Sequence, residues 1–372
     1  MPFEPLVPAG PALTVEEQRR YARHLTLDEV GVDGQRRLRA ASVVVLGAGG
    51  LGSPALTYLA AAGVGRIAVI DDDAVSESNL QRQVVHRTAD LGRAKVESAA
   101  DTLTALNPGV EVITHRVPLS AANADDLLAG HHLVIDGTDN FTARYDVADA
   151  AVRAGIPHIW ASVNRFEGQV SVLWAGHGPC YRCLFPRPPA PGAVPSCAEA
   201  GVLGAVPGVL GSLQAVEAVK LICGVGEPLV GAIQLLDLLR GRVSRIRVAP
   251  DPTCIACGSR RGAPAPAADG WSPETLRSRI DDGDVLVVDV REAEEREVNR
   301  IPGSIWLPKD ELLDGRWREL PTDRDLVLYC RSGIRSGECL AKLRAEGFTR
   351  ADHLAGGIRA WIVAVDPSLP QA

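Results

Sequence analysis

Val43-Val44-Val45-Leu46-Gly47-Ala48-Gly49-Gly50-Leu51-Gly52-Ser53-Pro54 is the stretch that decides how the rest of the chain can be arranged. Its apolar, largely β-branched start predicts a buried strand. Gly47, Gly49 and Gly52 follow at the G-x-G-x-x-G spacing, with Gly50 among them, and residues 55–62 read as a helix of small residues. A strand, a tight glycine turn and a helix amino terminus make an anion site, because free backbone N–H groups and the helix dipole favour negative charge there. The next strand, residues 66–70, ends at Asp71, near the usual distance for a carboxylate that meets a ribose hydroxyl. These residues alone fit a mononucleotide or a dinucleotide, so a nicotinamide or flavin enzyme stays open at this point.

A chain of 372 residues has room for two domains with separate cores. Its formal charge of -7, with no dense basic run, argues against a nucleic-acid partner. Aromatics are only 4% of residues, so the cores must be built from Val, Leu, Ile and Ala. No run approaches the roughly 18 apolar residues of a membrane span, and the amino terminus lacks a charged-then-apolar leader. The expectation is a cytoplasmic protein without a membrane partner. The chain is too long for a disulfide scaffold, and its 8 cysteines are better read by arrangement. Two C-x-x-C pairs stand apart from Cys197, Cys223, Cys330 and Cys339.

Thr14-Val15-Glu16-Glu17 resembles a capping box, which predicts a short helix bearing Arg19, Arg20 and Arg23. A second helix spans roughly residues 32–40. After Asp71 comes Asp72-Asp73-Ala74-Val75-Ser76-Glu77-Ser78-Asn79-Leu80-Gln81-Arg82-Gln83-Val84-Val85-His86, where a doubly wound fold would continue with a helix. Acids at the carboxyl end of a parallel strand face the ligand crevice, where they can orient a ribose or hold Mg²⁺. Arg82, and Lys95 at the start of a helix over residues 95–106, offer cations to a polyphosphate; singly, each reads more readily as a solvated salt-bridge partner. A strand at 111–115 and a helix near 121–128 precede a strand at 133–135. That strand ends in Asp136-Gly137-Thr138-Asp139-Asn140, ahead of a helix over 141–153. Asp139 therefore lies at a second strand-to-helix junction beside the glycine turn, an arrangement that suits Mg-assisted chemistry on ATP better than hydride transfer. Strands at 156–161, 169–174, 232–236 and 245–247, with a helix near 211–223, complete the region.

Cys180-Tyr181-Arg182-Cys183 and Cys254-Ile255-Ala256-Cys257 lie among Pro and Gly. Four thiolates from two such knuckles match a closed, tetrahedral, structural Zn²⁺ site; two disulfides or four separate thiols are the alternatives. Between the pairs, residues 184–206 are rich in Pro, Ala and Gly and carry Cys197, a free thiol of open use. Cys223 and Cys339, in apolar helical surroundings, read as packing.

Residues 259–271 form a linker of small residues and prolines. Ser272-Pro273 opens the next helix, followed by a strand at 285–288, Asp289-Val290-Arg291-Glu292, an acidic helix and a short strand after Pro302-Gly303. Then Asp325-Leu326-Val327-Leu328-Tyr329 runs as a strand into Cys330-Arg331-Ser332-Gly333-Ile334-Arg335-Ser336, with a helix over 337–346 beyond. Such a loop curls backbone N–H groups around the sulfur, and Arg331, Arg335 and the helix terminus add positive potential that suits a thiolate or persulfide. Cysteine phosphatases place one more residue between Cys and Arg, so this spacing favours sulfur over phosphorus.

Residues 14–257 resemble the adenylyltransferases that activate ubiquitin-like proteins, above all the bacterial enzymes acting on molybdopterin synthase's small subunit and related sulfur carriers. Gly47 to Ser53, Ser78 to Gln83, Gly137 to Asn140 and the paired C-x-x-C units carry that resemblance. Residues 272–362 resemble a rhodanese, through Asp289-Val290-Arg291-Glu292, Cys330 to Arg335 and His353-Leu354-Ala355-Gly356-Gly357-Ile358. The resemblance implies an α/β protein: a Rossmann-like adenylation domain of the ubiquitin-activating type with a structural zinc site (14–258), the linker, and a smaller α/β rhodanese domain (272–366). One departure is Asn299-Arg300, where many rhodanese domains carry Gly-His, so the packing of that turn stays open.

By the same resemblance, Gly47, Gly49, Gly50, Gly52, Asp71, Asn79, Arg82, Lys95 and Asp139 bind ATP, and Asp139 supports Mg²⁺. Arg23 reaches the nucleotide of a partner subunit, which implies a homodimer. Cys197 takes a thiol-exchange position, and Cys330 with Arg335 carries sulfur. The implied partners are a small β-grasp sulfur carrier ending in Gly-Gly and an external donor, thiosulfate or a cysteine-desulfurase persulfide. The implied reaction is carrier adenylation followed by persulfide attack to give a thiocarboxylate. Adenylation with a regulatory rhodanese domain, a nicotinamide oxidoreductase and a zinc-stapled scaffold are the competing readings. Whether the carrier serves molybdopterin, cysteine, thiamine or a secondary metabolite stays open.

Overall fold

The computed structural model describes residues 3–189, 201–259, 261–262 and 270–370. They form two compact units, one holding residues 3–186 and 201–259 and the other residues 270–370.

The first unit is built on an eight-stranded sheet: β1 (Ser42–Leu46), β2 (Arg66–Ile70), β3 (Glu111–His115), β4 (Leu133–Asp136), β5 (His158–Asn164), β6 (Glu167–Leu173), β7 (Ala232–Asp237) and β8 (Arg242–Arg247). The spatial order is β3-β2-β1-β4-β5-β6-β7-β8, with β1 to β5 parallel and β6 to β8 antiparallel. Strand β1 is central and covered on both faces, which is why it reads as an unbroken apolar run: Val43, Val44 and Val45 are all fully buried. Strand order reverses between β1 and β4, so their carboxyl ends open a crevice at the topological switch point.

The helix after β1 starts at Gly52, three residues before the sequence expectation, and runs to Ala62. The helix expected over 211–223 starts at Ala205, because Pro207 is tolerated in a first turn that needs no internal N–H donor. These two helices lie against each other so closely that a Cβ on Gly211 would overlap the Leu51 carbonyl and crowd Pro54. This Ala205–Cys223 helix is also long and apolar enough to cross a membrane by length and composition, and 61% of its apolar window is buried inside the fold. The segment after Asp71, expected as helix, is mostly irregular, with one 3₁₀ turn at Glu77–Asn79.

The second unit has a four-stranded parallel sheet in the order β10-β9-β11-β12: β9 (Val285–Asp289), β10 (Ile305–Trp306), β11 (Asp325–Tyr329) and β12 (Ala351–His353). Ser272 caps the helix Pro273–Asp281 through its side chain, with proline at the first position as expected. The helix after Cys330 spans Ile334–Ala345, three residues earlier than its sequence suggests, which puts Arg335 and Ser336 in its first turn.

Candidate functional site

At the switch point, Gly47 leaves β1 with φ +88° and Gly52 passes directly over its carbonyl, leaving no room for a side chain at Gly52. A Cβ on Gly49 would lie 3.7 Å from the Gln83 amide, and one on Gly50 would crowd Pro207 at 3.2 Å. The glycines thus let the turn fold tightly against the 82–86 segment and the Ala205–Cys223 helix. Among the described residues no hydrogen bond is made by the Gly49 or Gly50 N–H groups. Unspent donors at a helix start are what an anion needs.

Asp71 braces the turn. Its Oδ2 accepts from the Ala48 N–H at 2.8 Å and its Oδ1 from the Asp73 N–H at 2.9 Å. A carboxylate has further lone pairs, so both bonds leave it able to accept a ribose hydroxyl. Lys95 is buried and gives its ammonium to Asp73 Oδ2 at 2.7 Å. Arg82 is held by the Ser78 carbonyl at 3.0 Å, and Asn79 ends the 3₁₀ turn just before it. Asp71, Asp72 and Asp73 bring carboxylate oxygens within 4.8 Å of one another, although Asp73 is already matched to Lys95.

On the neighbouring turn, Asp136 is fully buried and accepts from the Thr138 N–H, the Thr138 hydroxyl and His158 Nε2. Burial works to raise its pKa; the His158 hydrogen bond leads the contacts that outweigh burial and leave it below the usual carboxylate range. Arg144 donates to the Thr138 carbonyl at 2.8 Å. This network fixes the Gly137-Thr138 turn and presents Asp139, exposed, beyond it. Strands β1 and β4 pair directly, so the glycine turn and the Asp139 turn are neighbours: a Cβ on Gly47 would lie 3.1 Å from the Gly137 carbonyl oxygen.

Arg23 lies elsewhere, exposed on the short helix Ala22–Leu25. Tyr21, two residues earlier, packs against Gly63 at the far end of the Gly52–Ala62 helix, about 16 Å along that helix from the turn. The structure therefore does not bring Arg23 to the glycine turn of its own chain. Cys197 falls outside the described residues.

The two C-x-x-C pairs converge. Sulfur separations are 3.7 Å for Cys180–Cys183, 3.6 Å for Cys180–Cys254 and 3.4 Å for Cys183–Cys257. Four sulfurs about 2.3 Å from a tetrahedral ion stand about 3.8 Å apart, whereas a disulfide brings them to about 2.05 Å, so the geometry fits a shared ion. Cys180 stands at the amino-terminal boundary of the one-turn helix Tyr181–Leu184 that carries Cys183, so the first knuckle is more regular than its Pro- and Gly-rich surroundings suggest. The Cys180 thiol's hydrogen bond leads the contacts that draw the Cys183 thiol below its ordinary value. Cys223 and Cys339 are buried packing groups, pushed up by burial to about 11 and about 12.

In the second unit Cys330 follows β11 and is buried. Its sulfur accepts the Gly333 N–H at 3.1 Å and faces the Ser336 hydroxyl at 3.6 Å. One backbone N–H therefore reaches the sulfur among the described residues, fewer than the sequence suggests. Gly357 (φ +61°) has no side chain because a Cβ there would overlap the Cys330 carbonyl. Arg335 does not stand as an open cation, because Glu295, on the acidic helix Ala293–Val298, takes it in a bidentate pair. That hydrogen bond, more than any other contact, holds Glu295 below its ordinary range. Asn299, the departure noted above, is satisfied: its side chain and main-chain oxygens accept from Arg291, and its amide donates to the Pro370 carbonyl. Arg300 points to solvent.

Sequence reasoning did not single out Glu295, Asp136 or His86 as parts of these sites. The available signal was that acids and a histidine lie within motif-bearing stretches. Their partners come from elsewhere in the chain or from a turn whose folding is tertiary.

The sequence profile of the ThiF family matches residues 21–256, and that of the rhodanese-like domain matches residues 272–364. The probable adenylyltransferase/sulfurtransferase MoeZ of Mycobacterium tuberculosis is 46% identical over 383 residues, covering 98% of each chain. The adenylyltransferase and sulfurtransferase MOCS3 of Bos taurus is 40% identical, covering all of this chain and 91% of that one. The sulfur carrier protein adenylyltransferase of Thermus thermophilus is 51% identical over 250 residues, 66% of this chain and 92% of its own. Among solved structures, E. coli MccB with ATP superposes with a TM-score of 0.56 at 23% identity, covering 66% of this chain and 76% of that one, a likeness of fold.

Proposed function

This chain belongs to the ThiF family and carries a rhodanese-like domain behind the ThiF region, and we propose that it activates the Gly-Gly carboxyl terminus of a small β-grasp sulfur carrier and loads it with sulfur. It is an adenylyltransferase and a sulfurtransferase: ATP-dependent adenylation of a sulfur-carrier protein is followed by rhodanese-mediated sulfur transfer. The observation that carries the reading is a single chain holding both an open-donor glycine turn at a switch point and a strand-end cysteine loop.

A carboxylate oxygen of the carrier attacks the α-phosphorus of ATP, and pyrophosphate leaves with the bonding pair. The free N–H groups of Gly49 and Gly50, the helix start at Gly52, Arg82 and Lys95 oppose the charge on the phosphate oxygens, the kind of preorganised stabilisation that dominates such steps. Asp71 holds the ribose, Asn79 contacts the phosphates and Asp139 fixes the reacting geometry. Magnesium, when bound at Asp139, neutralises polyphosphate charge. The Cys330 persulfide, with Arg335 released from Glu295 to steady it, then attacks the acyl carbon and AMP leaves. Attack by the Cys197 thiolate on the Cys330 sulfur frees the carrier thiocarboxylate and leaves a Cys197–Cys330 disulfide for a cellular dithiol to reduce. The external sulfur donor is thiosulfate or a cysteine-desulfurase persulfide.

The carrier's landing surface is the face of β5 to β8 away from the Ala205–Cys223 helix, a depression of about 430 Å³ lined by Ser162, Asn164, Glu167, Gln169 and Arg242 among others. Zinc is the ion that suits the four thiolates, and with every coordination position filled its role is structural. A homodimer is supported by Arg23, which lies remote from its own glycine turn, and by an apolar face. Leu27, Tyr58 and Val216, 48%, 58% and 52% exposed, border a cavity of about 450 Å³ there. The reducing cytoplasm suits free thiols of this kind.

The test is to incubate the protein with ATP, thiosulfate and a panel of Gly-Gly-ended carriers and to weigh the carriers. One of them should gain AMP, and then exchange one oxygen for sulfur. A carrier that gains AMP and never sulfur would reduce the second unit to a regulatory role; no AMP on any carrier would overturn the reading.

A further inference from the structure

His86 is buried beneath the glycine turn and plays no part in the steps above. Its Nε2 lies 2.9 Å from the Ala48 carbonyl oxygen, and its Nδ1 lies 2.9 Å from the Ser98 hydroxyl. Ser98 in turn lies 2.9 Å from Asp90 Oδ2, and Asp90 is further held by the Arg87 N–H and Arg93. A carbonyl oxygen can only accept, so the ring proton facing Ala48 must be on Nε2. Burial, the largest influence, and the Lys95 charge pull the His86 pKa below its ordinary value, against the opposing pull of the Ala48 bond, Asp71 and Asp90. A neutral ring can therefore keep its Nε2 proton on Ala48 while Nδ1 and Asp90 share the Ser98 hydroxyl proton.

The C=O of Ala48 and the N–H of Gly49 belong to one planar trans peptide, and in such a unit they point in opposite directions. Gly49 has no Cβ, so nothing intrinsic prevents that peptide from turning over and presenting its oxygen where the nitrogen was. The Ala48 N–H is tied separately to Asp71. We propose that His86 is a positioning residue of the nucleotide site: by holding the Ala48 carbonyl on one side, it keeps the Gly49 N–H directed at the phosphates on the other. The proposal rests on the adenylation reading and adds a residue that no phosphate contact would reveal. Without the Nε2 donor, only the longer 3.5 Å bond from the Ser53 hydroxyl would hold the Ala48 carbonyl, and the turn would spend part of its time with an oxygen aimed at the triphosphate. ATP would then have to select the rarer arrangement, at a cost in apparent affinity equal to the fraction lost.

Carrier-dependent ATP–pyrophosphate exchange tests this with His86→Phe, which fills the ring volume without a donor, and His86→Gln, which keeps a side-chain N–H. The melting transition of the first unit, which holds His86, reports the integrity of each preparation. The expected result is a KM for ATP raised about tenfold in His86→Phe, with kcat changed less, and largely restored in His86→Gln. A destabilised scaffold would move both variants alike. Should His86→Phe not fold, Ser98→Ala, which removes the ring's second anchor, should raise the same KM more modestly. An unchanged KM in the folded variant of the pair, or equal impairment by Phe and Gln, overturns the proposal. Absence of exchange in the unaltered protein would instead overturn the adenylation reading.

Discussion

Arg335 gives both terminal guanidinium nitrogens to Glu295, at 2.7 Å each, so this cation of the Cys330 sulfur loop is already matched by a carboxylate. The pair is partly exposed, at 28% and 26% for the two side chains, which keeps it open to competition from an incoming anion. Glu295→Gln should therefore strengthen use of an anionic donor. The KM for thiosulfate should fall about three- to tenfold, in line with the modest worth of such a pair. Thiosulfate-to-cyanide kinetics measure it, and an unchanged KM would show that Arg335 never meets the donor.

The two chemistries should separate cleanly. Asp139→Ala should reduce carrier-dependent ATP–pyrophosphate exchange by about 10²-fold or more while leaving sulfur transfer intact. Cys330→Ala should do the reverse, since no sulfur can be carried without its thiol. Exchange retained in Asp139→Ala would remove that residue from the adenylation step.

Cys254→Ser breaks the sulfur cluster that joins two distant parts of the first unit. Elemental analysis of the unaltered protein should find one zinc per chain, and the variant should lose it. Calorimetry should show the transition of the first unit falling, with that of the second in place, because structural zinc contributes directly to folding. A metal-free unaltered protein with the same melting profile as the variant would refute the zinc assignment.

Asp289 is fully buried and accepts from Arg291, Arg296 and the Tyr329 hydroxyl. Burial opposes its ionisation, yet the Arg291 bond leads the contacts that hold its pKa below the ordinary value. A lowered carboxylate pKa stabilises the fold fully above the unfolded value of about 3.9 and loses that contribution as pH falls through the lower folded value. The second unit should therefore weaken below about pH 4 through this group. Asp289→Asn should cost roughly 3–5 kcal/mol at neutral pH, since it leaves a buried guanidinium uncompensated. Denaturant unfolding across pH checks both; a loss below about 1 kcal/mol would mean the arginines find other partners.

What could be read from the chain follows from the range of the forces involved. Strand β1 is legible because a strand buried on both faces has no polar positions to disguise it. The glycine turn is legible because steric exclusion acts on the residues themselves. Residues whose roles depend on distant partners were not legible. His86 meets an oxygen 38 positions away, and Arg335 meets a carboxylate 40 positions away, so neither spacing has a local signature. The polar run after Asp71 misled for a related reason: its side chains and backbone serve the crevice and its braces, so helical periodicity was never available to it. Asn299 shows the other side of this: the sequence leaves its turn open, and distant partners, Arg291 and Pro370, bond it.

The cysteine cluster has one more consequence. Its two knuckles straddle residues 190–200, and strands β6 and β7, which also lie on opposite sides of that segment, are zipped together in the sheet. A protease that nicked the chain between the knuckles would release nothing: the halves would travel as one particle in a native gel and part only on denaturation.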